Sequence, residues 1–114
     1  MKTLKFICLS AVLLLGANAM AQKSAIEEKA QRTTDLMLSE LQLTEEQTEK
    51  VSMLNHKIEY KLEAVRNNTN YSDAKKREHI NGNKESYARV LESILTKEQL
   101  DKWAAIQGAS ATEK

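Results

Sequence analysis

An all-α fold follows from three observations. The chain of 114 residues contains no proline and three glycines, so it lacks the turn residues that frequent chain reversals need. Apolar side chains recur at intervals of three and four, the period of one helix face. A nine-residue pattern, Leu-Thr-x-Glu-Gln-x-acid-Lys-apolar, occurs at 43–51 and again at 95–103. Each copy has the form of a helix start, in which a threonine and the glutamine three residues later cap the first turn together.

The chain opens with Lys2 and Lys5, an apolar run over 6–15, and the small-residue stretch Gly16-Ala17-Asn18-Ala19-Met20-Ala21. This is the form of a secretory leader. Cleavage after Ala19 or after Ala21 fits, and Ala21 is favoured because alanine then occupies both critical positions. The run is too short for the roughly 20 apolar residues of a spanning helix. Residues 22–114 then form a single helical domain. Cys8, the only cysteine, lies within the leader's apolar run rather than after it. The mature chain is therefore expected to have no disulfide, no thiol chemistry and no cysteine-bound metal.

The first helix of the domain is expected to start at a capping box, Ser24 with Glu27, and to run to about Gln42. Ile26, Ala30, Thr33, Met37 and Leu41 share its apolar face, widened by Thr34 and Leu38. Thr44 caps the second helix, with Glu45 and Glu46 in the first turn, where the helix dipole favours negative charge. Val51, Leu54, Ile58, Leu62 and Val65 form its stripe. Asn67-Asn68-Thr69-Asn70 reads as a turn. A third helix over 73–95 begins almost wholly polar and regains an apolar face at Tyr87, Leu91 and Ile94. Either Asn81-Gly82-Asn83 breaks it or it runs on with a weak or bent point at Gly82, and continuity is favoured because one interior glycine costs only about 1 kcal/mol relative to alanine. Thr96 and Gln99 cap the fourth helix, where Leu95 and Leu100 are placed to form a hydrophobic staple. Leu100, Trp103, Ala104 and Gln107 face one way. Gly108 is expected to end this helix in the left-handed conformation, leaving 109–114 as a frayed tail.

No catalytic constellation appears. His56 and His79 are not spaced with other ligands as a closed metal site requires. The serines lack a nucleophile-elbow context, and there is no glycine-rich phosphate loop. A non-enzymatic protein without metal or cofactor is expected. Of the 17 basic and 16 acidic side chains, Lys2 and Lys5 leave with the leader, so the mature domain carries a formal charge of −1. Such a balance gives no general attraction to nucleic acid or anionic membrane. The one basic run, Lys75-Lys76-Arg77, reads either as a solvated helix start or as a local electropositive patch.

A leader, a small all-helical domain and two motifs, Leu43-Thr44-Glu45-Glu46-Gln47 and Leu95-Thr96-Lys97-Glu98-Gln99, together resemble the Spy/CpxP family of periplasmic proteins over about 24–107. The resemblance implies a four-helix protomer with a long bent hairpin, paired as an intertwined antiparallel homodimer shaped like a cradle. It implies an ATP-independent periplasmic chaperone that holds unfolded or aggregation-prone envelope proteins on a surface mixing apolar and basic groups. In this chain the expected client-binding residues are Met53, Lys75, Lys76, Arg77, Lys84 and Arg89. Leu43, Thr44, Gln47, Leu95, Thr96 and Gln99 are expected to be scaffold. Other relatives restrain a sensor kinase of the envelope-stress response or sense metals, so the alternative expectation is a regulatory accessory protein that binds such a sensor's periplasmic domain. Spy-like cradles are markedly basic, so any positive face here must be local.

Overall fold

Helix-forming sequence between well-marked caps produces four helices: α1 (Lys2–Leu41), α2 (Glu45–Arg66), α3 (Asp73–Ile94) and α4 (Lys97–Thr112). The computed structural model describes the backbone of residues 2–112 and the side chains of residues 21–108. No strand occurs among the described residues, and the fold is all-α. None of the helices among them is long and apolar enough to cross a membrane.

The starts of α2, α3 and α4 are capped by side chains. Thr44 stands in an extended conformation and accepts the Gln47 N–H, while the Gln47 side chain accepts the Thr44 N–H, completing the capping box. Ser72 caps α3 by accepting the Lys75 N–H. At the turn between α2 and α3, Asn68 Oδ1 accepts the Asn70 N–H, and Lys76 Nζ donates to the Arg66 carbonyl at 2.8 Å. Tyr71 closes this end by stacking on His79, with ring centroids 4.6 Å apart.

Two expected boundaries are not used. Ser24 is an exposed residue inside α1, not its cap. Nothing between Ala21 and Ser24 breaks the helix, so the preceding residues continue it and leave no free N–H groups there to cap. Gly108 does not end α4, which continues to Thr112. Alanines at 104, 105, 109 and 111 surround it, and their high helix propensity outweighs one glycine. The helix thus covers most of the expected tail, and Glu113 and Lys114 lie outside the described residues. α3 runs unbroken through Gly82, where a Cβ would meet nothing within 4 Å. Packing therefore does not require glycine at this position.

Cross-helix bonds fix the register. Thr34 and Met37 on α1 both meet Asn55 on α2, and Lys29 pairs with Glu59 one turn further on. Tyr87 on α3 meets the same Asn55. Residue numbers rise on one helix as they fall on the next, so α1, α2 and α3 run antiparallel to their neighbours. α4 closes the arrangement against α1 and α3. The core is small: Met37, Leu41, Val51, Leu91, Leu95 and Trp103, with Leu43, Leu54, Tyr87, Ile94, Leu100 and Ile106 packed around it. Leu95 and Leu100, the expected staple, both belong to this cluster. Ile106 joins it from outside the stripe predicted for α4.

Candidate functional site

The two motifs meet. Gln47 and Gln99, 52 residues apart, hydrogen-bond to each other through both amide groups, at 2.8 and 3.2 Å. Each amide does two further things. Its oxygen accepts the N–H of its own motif's threonine, at 3.0 Å from Thr44 and 2.9 Å from Thr96. Its nitrogen donates to the end of the helix that precedes the other motif: Gln47 to the Ile94 carbonyl at 3.0 Å, Gln99 to the Leu41 carbonyl at 3.1 Å. Each glutamine thereby satisfies an orphan donor at one helix start and an orphan acceptor at another helix end. All four of its hydrogen-bonding positions are filled. The neighbours also fix the amide orientation, because a threonine N–H only donates and a helix-end carbonyl only accepts. The clasp ties the ends of α1 and α3 to the starts of α2 and α4. Beside it, Gln42 takes a left-handed φ of 53°. That conformation costs a non-glycine residue about 1–2 kcal/mol, and it turns the chain at the point where Gln99 caps Leu41.

A second polar device lies inside the bundle. Asn55 is 1 % exposed. Its amide donates to Thr34 Oγ1 at 2.9 Å and its carbonyl oxygen accepts the Tyr87 hydroxyl at 2.6 Å. Thr34 donates onward to the Ala30 carbonyl at 3.0 Å. A buried amide without partners would be costly, so only the register that supplies both Thr34 and Tyr87 is stable. Burial, helped by the negative charge of Glu59, pushes the Tyr87 hydroxyl up to about 12.

The shift sets a pH window. An unfolded tyrosine titrates near 10, so the folded state keeps the Tyr87 proton between about pH 10 and 12. Its contribution is complete below pH 10 and declines as pH rises towards 12, on the order of 2 kcal/mol in all. Urea unfolding of the wild type and Tyr87→Phe is expected to show the variant less stable near neutrality. The gap should narrow on the alkaline side. A gap constant through pH 11 would mean that the hydroxyl has no special environment.

Beside this device the four helices leave an open cleft of about 670 Å³. Ile58 and Leu62 of α2, Leu91 of α3, and Leu100 and Trp103 of α4 supply its apolar surface. Asn55 and Tyr87 contribute polar groups. Lys84 and Lys97 line it together with Glu59, Glu92 and Asp101. The volume lies within the range of about 300–1,000 Å³ usual for ligand-binding clefts. Trp103 is 5 % exposed, and its buried indole N–H has no hydrogen-bond partner among the described residues.

The expected client-binding residues do not converge. Of the six, only Lys84 lines the cleft. Lys75, Lys76 and Arg77 lie at the start of α3, beside the end of α2. Arg89 is exposed and turned towards Ser86. At 100° per residue, the five basic residues are spread over about 240° of the circumference of α3, so they do not make one positive face. Met53, 70 % exposed, lies in a different groove near the start of α2. The scaffold residues, by contrast, are brought together in the clasp and its surroundings. No group of three His, Cys, Asp or Glu among the described residues could hold a metal ion. Sequence reasoning missed Asn55, although 51, 55, 58, 62 and 65 continue a stripe at intervals of four and three.

Fold and clasp define a small all-α protein made of two helix–motif–helix halves. The chain belongs to the family described as Domain of unknown function (DUF4890), which it matches over residues 16–103. No curated protein and no solved structure matches it.

Proposed function

We propose that this chain is an exported, ATP-independent holdase that binds unfolded or aggregation-prone proteins of the periplasm in the cleft between α2, α3 and α4. The cleft is the observation that carries the reading. It combines an open apolar floor, with Ile58 and Leu100 half-buried, and charges of both signs, which suits polypeptide segments of varied sequence better than a single small molecule. The paired Leu-Thr-x-x-Gln motifs, in their resemblance to the Spy/CpxP family, support the same reading. So does the leader-like start of the chain. The resemblance extends the proposal to an antiparallel homodimer.

The test is light scattering from a thermally aggregating client protein, with the domain first assigned as monomer or dimer by sedimentation equilibrium. Equimolar domain is expected to suppress scattering without nucleotide. No suppression at several-fold excess would overturn the proposal. Capture of one specific envelope sensor, with no effect on general clients, would favour the accessory-protein reading instead.

A further inference from the structure

A second surface, separate from the cleft, has the opposite character to the basic face that the family resemblance implies. The first turns of α2 place Glu45, Glu46, Glu49 and Met53 within an arc of about 100°. With Leu38 and Leu43 they line one shallow groove at the corner between α1 and α2. Met53 is 70 % and Leu38 43 % exposed, and Leu43 is half-buried. The arc faces away from Val51, which is fully buried. Glu46 pairs with Lys50 at 3.2 Å, an exposed contact worth little. Glu45 and Glu49 form no ion pair among the described residues.

The geometry points to this corner as a docking site for a cationic amphipathic polypeptide segment, one in which lysines or arginines alternate with leucine-like side chains. Charge complementarity selects the occupant. Carboxylates beside an apolar strip repel phosphate headgroups and nucleic acids and attract cations. The strip of Leu38, Leu43 and Met53 needs an apolar counterpart, and the flexible thioether of Met53 adapts to several shapes. A second copy of the domain over residues 22–114 is a poor match, because its only basic run, Lys75-Lys76-Arg77, has a single large aliphatic neighbour in Ile80.

The test is fluorescence anisotropy of a labelled Lys/Leu amphipathic peptide titrated with the full chain, beside a matched peptide with glutamate in place of lysine. The cationic peptide is expected to bind, and added salt should weaken it, since exposed charges are screened. Glu45→Gln with Glu49→Gln should reduce its affinity about tenfold. Met53→Ser alone should reduce it further than salt does. These side chains are exposed, so helicity by circular dichroism should be unchanged. Equal binding of the two peptides, binding of neither, or wild-type affinity in the charge variant would each overturn the assignment.

Discussion

Replacing Trp103 with alanine is expected to lower the unfolding free energy by about 3–5 kcal/mol, the usual cost of removing a large aromatic from a core. Total stabilities of small domains are about 5–15 kcal/mol, so the variant should be largely unfolded in mild urea. The reason is the size of the core. Among the described residues, six side chains form its centre, and Trp103 is the only one of them from α4. Without it α4 keeps Leu100, Ile106 and the Gln99 end of the clasp. Trp103→Phe is expected to cost much less, below about 1.5 kcal/mol, because it keeps a six-membered aromatic ring and removes an unpaired buried donor whose burial itself costs about 1–3 kcal/mol. Urea denaturation of both variants checks this. Equal losses would mean that the indole N–H, which both variants remove, is bonded and stabilising, and that side-chain volume is not what decides.

The clasp carries the second large effect. Gln47→Ala and Gln99→Ala should each cost about 1–2 kcal/mol, and the double variant about 2–3. The double should fall short of the sum, because either single change already removes both bonds between the amides and leaves the other glutamine half-satisfied. A coupling of about 1 kcal/mol in this double-mutant cycle is the signature of direct contact. Strict additivity would mean that each glutamine acts only as a local cap for its own helix.

Those two results also separate what was legible in the sequence from what was not. Each capping box was legible, because Thr44 with Gln47 and Thr96 with Gln99 act within one helical turn. The joining of the boxes was not, because it depends on α1 and α3 ending side by side, which is a tertiary fact. The duplication at a spacing of 52 was its only signal. The stripes of α1 and α2 were legible because burial follows the helical period, and Met37, Leu41, Val51, Leu62 and Val65 are buried as expected, but Leu38, expected to widen the first stripe, is 43 % exposed. Asn55 was hidden by its polarity. Its burial depends on partners from two other helices, Thr34 and Tyr87, that no local pattern reveals. Ser24 and Gly108 failed for the opposite reason. Each is a suitable cap residue, but a helix stops only where continuing is worse, and on both sides of each the chain favours helix. The basic residues of α3 looked like one patch when read along the chain, and helical winding disperses them.

Client binding in the cleft is tested most directly by filling it without touching the core. Ala88 and Ala104 are exposed and face the cleft from α3 and α4. Ala88→Trp with Ala104→Trp should leave unfolding by urea close to wild type while occupying the space a client segment would use. In the scattering assay, wild-type protein is expected to suppress client aggregation and the double variant to lose most of that suppression. Full suppression by a stably folded double variant would contradict the account and place client binding elsewhere on the molecule.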